Sequence, residues 1–322
     1  MVNFALTGLA GYIAPRHLQA IRDTGNRLVA AVDPHDSVGL IDQYFPEAAF
    51  FSEFERFDRH LEKLRRGPEA ERVHVVTVCA PNHLHDAHIR LALRTGADAI
   101  CEKPLVLNPW NLDGLAEIEA ETGQRVYTVL QLRVHPALVA LRERLLAEPD
   151  RRRTVRLTYV TTRGTWYRYS WKGDPKKSGG VATNIGVHFF DLLQWLFGEA
   201  TGETVHLRDD ERAAGTLVLP RADVQWFMSL DAADLPEAAR GAQPTYRSIT
   251  VDGEEVEFSG GFRDLHTLVY ERTLAGQGFG IDDARPSIEL VHRIRTAAVA
   301  PAGADAHPFV RSADRSAAAL AA

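Results

Sequence analysis

Glu102-Lys103-Pro104 stands at the carboxyl end of an apolar run, residues 97–101. A charged pair followed by proline at a strand end projects polar groups into whatever crevice lies beyond the strand. An alcohol is a poor hydride donor until its proton leaves, and a lysine becomes a usable base when partial burial and a neighbouring cation lower its pKa. Lys103 is therefore a candidate general base. The second candidate is His188, in Asn184-Ile185-Gly186-Val187-His188-Phe189-Phe190-Asp191, as a base or as a polariser of a developing oxyanion. Residue types alone do not divide the proton work between them. Asn184, His188 and Asp191 fall near i, i+4 and i+7, so they share one face if the helix begins early enough. For Asp191 a place in a capped core helix is the plainer reading.

A second group suits a dinucleotide. Gly8-Leu9-Ala10-Gly11-Tyr12-Ile13-Ala14 follows the run 2–7, and glycines there let backbone approach a pyrophosphate at a helix N-terminus. The spacing departs from GxGxxG, with Ala10 at the second glycine position. Asp33 ends the next apolar run, where an acidic side chain accepts from the adenosine ribose hydroxyls and repels a 2′-phosphate. That favours NAD over NADP. Pro81-Asn82-His83-Leu84-His85 follows the run 73–79, at the strand end where such sheets bind ligands; Asn82 could equally be a helix cap. Gln131, just past the run 126–130, is a further candidate contact to substrate. Arg163, Trp166, Tyr167, Arg168, Tyr169, Lys172, Lys176 and Lys177 crowd one segment, and aromatics among cations suit a base and a diphosphate. Of these, Arg163, Tyr169 and Lys177 are the candidates chosen.

The elements that must position these residues read in two styles. Up to about residue 133, apolar strands (2–7, 28–32, 73–79, 97–101, 126–130) alternate with amphipathic stretches such as His85–Arg94. That rhythm predicts βαβ units and a parallel sheet. From 134 on, β-rich runs (155–161, 214–219, 224–230, 246–251, 254–258) are set off by turn signals, including Asp252-Gly253. Helices are expected at 186–196, 265–275 and 287–297, and the alanine-rich end after Pro301 as a loosely held tail. The expectation is an α/β Rossmann domain, 1–133, joined to an α+β domain with a large antiparallel sheet, 134–322. Val224, Trp226 and Met228 alternate with Gln225, Phe227 and Ser229, so both sheet faces carry apolar residues and one calls for a partner subunit.

With 322 residues, 45% hydrophobic and 25% charged, the composition is that of a globular protein larger than one core. A formal charge of −6 argues against nucleic acid. Cys79 and Cys101 show no metal-ligand spacing, so no metal is expected, and a reducing cytoplasm is the expected compartment. MVNFALTG runs into a strand without a basic leader, and no run of about 18 apolar residues is present, so no membrane span is expected.

Together the glycine turn, Pro81-Asn82 with His85, Glu102-Lys103-Pro104 and Gly179-Gly180…Gly186-Val187-His188…Asp191 resemble the glucose–fructose oxidoreductase / inositol dehydrogenase / MocA family, GFO/IDH/MocA. The stretches GYIAPRH, CEKPLVLNPWN, RGTWY, SWKGD, SGGVATNIGVHFFD and GFRDLHT look like its UDP-N-acetylglucosaminuronate 3-dehydrogenases of bacterial surface-polysaccharide (O-antigen) synthesis. That resemblance implies oxidation of the C3′ hydroxyl of UDP-2-acetamido-2-deoxy-D-glucuronate with hydride transfer to NAD, a homotetramer, and a PLP-dependent aminotransferase acting next. It also implies that Glu102 binds the nicotinamide ribose with Asn82 close by. Many members have aspartate where this chain has Asn184; the amide removes repulsion against a uronic acid. Oxidation of another sugar or a polyol such as inositol, and a non-catalytic NAD or sugar sensor, are the alternatives; the retained Lys103 and His188 speak against the sensor.

Overall fold

The computed structural model describes residues 1–240, 244–258 and 264–310. Two compact units result, Met1–Val134 with Gly261–Arg285, and His135–Gly260 with Pro286–Ala322. A single cut after residue 133 therefore does not separate them. The helix Leu265–Leu274, expected in the second half, belongs to the first unit, and its Val269 and Tyr270 are buried in one core with Phe4, Leu18 and Ile100. An apolar stripe dictates that a helix be buried but not against which sheet.

In the first unit β1 (Asn3–Thr7), β2 (Arg27–Val32), β3 (Ala49–Phe51), β4 (Val75–Val78), β5 (Asp98–Cys101) and β6 (Val126–Thr128) form a parallel sheet in the order β3-β2-β1-β4-β5-β6. The order reverses between β1 and β4, and ligands of such sheets lie at the carboxyl ends of the strands flanking that point. Every residue of β1 and β4 is buried, which is why these strands read as unbroken apolar runs. Strand β3 was not anticipated, since three residues are too few to show a period.

The second unit holds β7 (Arg153–Thr161), β8 (Gly202–Arg208), β9 (Arg212–Leu219), β10 (Ala222–Ser229), β11 (Thr245–Val251) and β12 (Glu254–Glu255), in the order β12-β11-β7-β10-β9-β8. Its pairings are antiparallel except at the centre, where β7 and β10 run parallel. β8 escaped the sequence reading because its polar residues and a register shift between Val205 and Leu207 blur the alternation. Asp252 and Gly253, at φ +52° and +88°, link β11 to β12 as the hairpin turn expected of that pair.

Trp226 is fully buried on one face of this sheet, with Phe190 edge-on at 5.1 Å. Part of the other face is covered by the chain itself. Phe227 is buried under the chain's own His307 (5.5 Å between rings) and Phe309 (5.2 Å), and Val160, Ala214, Leu235 and Val310 complete that cluster. Towards the other end of this face Arg156 donates to Gln225 at 3.2 Å, and Val218, opposite Asp223, is exposed. The chain as far as Val310 is thus anchored, not loose; the rest of the alanine-rich end lies outside the described residues. Among the described residues no helix is long and apolar enough to cross a membrane.

Candidate active site

Gly8 leaves β1 at φ +87°, and a Cβ there would stand 2.5 Å from the Cys79 carbonyl oxygen and 2.6 Å from the Ala80 nitrogen. Only glycine lets the loops after β1 and β4 pass this closely. Gly11 N–H donates to the Gly8 carbonyl (3.0 Å) and Ala14 N–H to that of Gly11 (3.1 Å), winding the turn into the helix Ala14–Asp23. Tyr12 is 96% exposed and Ile13 half-buried. Asp33, just past β2, accepts from Ala10 N–H (2.9 Å) and His35 N–H (2.9 Å). Its carboxylate is thereby fixed beside the glycine turn, where a dinucleotide's adenosine ribose falls in sheets of this kind. These residues fit NAD: a turn with glycine at positions 8 and 11 at the strand order's reversal, a helix N-terminus and an aimed carboxylate. We expect NAD to bind much more tightly than NADP, and Asp33→Asn to narrow the gap. Comparable dissociation constants for both cofactors in wild type would remove this role.

Pro81 and Asn82 follow β4, and Asn82 is buried in the short turn Asn82–Leu84. The His85 ring is buried, with Nε2 at 2.8 Å from the Ala80 carbonyl oxygen and Nδ1 at 2.8 Å from that of Pro104. It thus stands between the loop after β4 and the loop after β5, and a neutral ring donates to one of the two carbonyls. Burial pushes its pKa down.

Glu102 and Lys103 follow β5, Lys103 half-buried and Glu102 buried. Glu102 Oε1 accepts from His17 Nε2 (3.2 Å) and His266 Nε2 (2.9 Å), while Oε2 accepts from the Lys103 N–H (3.2 Å). Burial pushes a carboxyl up, but the two imidazole donors outweigh it and hold Glu102 well below the usual range. His17, Glu102 and His266 are also the one group of metal-ligand side chains drawn together among the described residues; hydrogen bonds account for their approach without an ion. His17 and His266 lie in the stretches GYIAPRH and GFRDLHT that carry the family resemblance, with Tyr270 just beyond, but sequence reasoning assigned none of the three a role. No spacing connects a residue near position 17 to a helix beginning at 265; the fold alone makes them neighbours.

Gln131 starts a short turn just beyond β6 and is half-buried. In the second unit, Asn184 and His188 do not share one helix face. Asn184 closes the short helix Gly180–Asn184, and a new helix, Val187–Phe197, opens after Gly186. At Gly186 an added Cβ would meet the backbone carbonyl oxygen of Ala182 and, at 2.5 Å, Met228 Sδ, so the link between the two helices has room only for glycine. Asn184 Nδ2 donates to the Tyr167 hydroxyl (2.6 Å), and the His188 ring packs on Phe189 with centroids 4.2 Å apart. Asp191 is buried. Arg163, Tyr167, Arg168 and Arg212 line a cavity of about 510 Å³ that also takes in Asp209, Asp210, Glu211 and Asp231. Arg168 is paired with Glu211 and Arg212 with Asp209. This cavity is of mixed sign, a poorer diphosphate cradle than the cations alone suggested. Tyr169 and Lys177 are exposed.

A parallel sheet that reverses at a glycine turn, with an aimed acidic residue and a strand-end lysine, defines a dinucleotide-dependent oxidoreductase. Residues 2–130 match the family profile described as oxidoreductase family, NAD-binding Rossmann fold, and residues 153–227 its companion, the C-terminal alpha/beta domain. The chain belongs to this NAD-binding oxidoreductase family, GFO/IDH/MocA. It is similar to the WlbA (WbpB) dehydrogenase of Thermus thermophilus, with 56% identity, a TM-score of 0.92, and 96% of this chain and 100% of that one covered. That protein has been solved with NAD and alpha-ketoglutarate and with NAD and UDP-GlcNAcA. Among curated relatives, the inositol 2-dehydrogenase of Rhizobium meliloti is 25% identical over 62% of this chain and 56% of its own length. The D-glucoside 3-dehydrogenase of Escherichia coli is 29% identical over 38% and 36% respectively. The chain thus matches less than two thirds of the length of these curated relatives.

Proposed function

We propose that this protein oxidises the C3′ hydroxyl of UDP-2-acetamido-2-deoxy-D-glucuronate to the 3-keto sugar, with NAD as hydride acceptor. The observation that carries the reading is the 56% identity, over 96% of the chain, to a dehydrogenase solved with NAD and UDP-GlcNAcA. The cofactor, when bound, takes the hydride from C3′. The protein's part is to fix the dinucleotide on the turn Gly8–Gly11 and Asp33, and to take the hydroxyl proton. Lys103 is assigned that proton and His188 the support of the developing oxyanion, with Gln131, Arg163, Tyr169, Lys177 and Asn184 as candidate substrate contacts. Of these, Asn184 is the one whose hydrogen-bond partner is a neutral hydroxyl, that of Tyr167, which suits a neighbouring uronate better than a carboxylate would.

The test is single-turnover formation of reduced nicotinamide, followed by absorbance, over a panel of nucleotide sugars, free aldoses and inositol. Reduction with UDP-N-acetylglucosaminuronate and not with inositol is the expected result; the reverse overturns the substrate. Added alpha-ketoglutarate tests whether the reduced cofactor is recycled on the enzyme. A 3-keto sugar is what a PLP-dependent aminotransferase takes, so such an enzyme would act next, in the cytoplasm, where the buried free thiols Cys79 and Cys101 stay reduced. Family likeness supports a homotetramer; light scattering that finds a monomer at micromolar concentration would sink it.

A further inference from the structure

The Lys103 backbone is gripped from both sides by buried groups. Its own N–H donates to Glu102 Oε2 at 3.2 Å, and the carbonyl of the next residue, Pro104, lies 2.8 Å from His85 Nδ1. Glu102 is in turn the end of a chain of hydrogen bonds whose direction chemistry dictates. A carboxylate only accepts, so His17 and His266 each turn an Nε2–H towards Oε1. Burial keeps His17 neutral, so its Nδ1 is an acceptor and the Tyr270 hydroxyl, 2.9 Å away, donates to it. The Tyr270 oxygen then accepts from Thr77 Oγ1 at 2.7 Å. These residues come from β4, the loop after β5 and the helices Ala14–Asp23 and Leu265–Leu274, all within the first unit.

We propose that Thr77, Tyr270, His17 and His266 are positioning residues: they hold the Glu102 carboxylate in place so that it, with His85, sets the backbone from which the Lys103 amine reaches its proton. The inference rests on Lys103 being the reacting amine. Around Glu102 stand His17, His266, Tyr270, Cys79, Cys101, His85 and Lys103. Of these only His17 and His266 donate to its Oε1. Removing one donor lets burial push the carboxyl back up. A step that needs ionised Glu102 then fails at a higher pH on the acid side.

Three measurements test this. In the cofactor-free protein, nitrogen NMR of labelled histidine should show a proton on Nε2 of both His17 and His266, and Nδ1 of His17 bare. Either ring without a proton on Nε2 overturns the arrangement. Next, His266→Asn, too short to reach Glu102, should slow single-turnover reduction of NAD by about ten- to a hundredfold, the scale of a misplacement of roughly 1 Å. Its dissociation constants for NAD and sugar should stay within about twofold, its acid limb should move to higher pH, and His266→Gln should recover part of the rate. An unchanged rate and pH profile would show the trio to be packing only. Should His266→Asn fail to fold, Tyr270→Phe removes only a hydroxyl. It should shift the His17 Nδ1 resonance, which loses its donor while the proton stays on Nε2 facing Glu102, and slow the reaction several-fold; no change in either overturns the proposal. Failure of wild type to reduce NAD with UDP-N-acetylglucosaminuronate would instead strike the substrate reading, leaving the histidine tautomers to be judged by themselves.

Discussion

Lys103→Ala is expected to lower the single-turnover rate of NAD reduction by about 10²–10⁴-fold, the contribution typical of a positioned general base. That is roughly 3–5 kcal/mol of barrier, at 1.36 kcal/mol per factor of ten. The alanine removes the amine but leaves the backbone N–H on Glu102 Oε2 and the Pro104 carbonyl beside His85. The turn should therefore keep its shape, and NAD affinity should be nearly unchanged. A loss confined to kcat with KM held marks an interaction made in the transition state. His188→Asn should give a smaller or comparable loss. If the lysine sets the base limb of the pH profile, only Lys103→Ala abolishes that limb. An alanine variant as fast as wild type would mean that Lys103 is not the base.

The second large effect is expected at Gly8. In Gly8→Ala the new Cβ meets the Cys79 carbonyl oxygen at 2.5 Å and the Ala80 nitrogen at 2.6 Å, both backbone. Neither can swing aside as a flexible side chain would. The φ of +87° adds strain for any residue with a Cβ. Backbone strain of this sort costs about 1–3 kcal/mol, and relief comes only by parting the loops after β1 and β4. Those are the loops that flank the point where strand order reverses. NAD affinity should fall by at least about tenfold, since each 1.4 kcal/mol is a factor of ten, together with a lower melting temperature. Gly25→Ala is the control: φ is similarly positive at +72°, but nothing stands within 4 Å of the added Cβ. It should lose some stability and no cofactor affinity. Equal NAD binding by Gly8→Ala and wild type would remove the close approach from the cofactor site.

Local features were legible wherever a short stretch carries its own reason. His85–Arg94 is helical over the residues its spacing predicts, and Asp252-Gly253 turns a hairpin because both residues tolerate positive φ. Strands β1 and β4 read as apolar runs because the sheet is covered on both faces. β3 and β8 did not, the one too short and the other too polar and irregular to show a period. In the second unit, Asn184 and His188 could be put near one another by counting, but the break at Ile185-Gly186 could not; glycine is needed there because Ala182 and the sequence-distant Met228 leave no room for a Cβ.

The order of residues by itself determined the dinucleotide turn, the strand-end Glu102-Lys103-Pro104, the two styles of sheet and the family they resemble. Each rests on neighbours within a few positions, where spacing and residue type carry the physics. Only the tertiary structure decided what Glu102 and His85 do, which helix completes the first unit, and what covers Phe227. Glu102 meets His266 across 164 positions and His17 across 85; Phe227 meets Phe309 only because the chain returns to the sheet. Burying a carboxylate requires donors, and burying an aromatic face requires a cover. The sequence states those needs locally, but which distant segment meets them is settled only when the whole chain has packed.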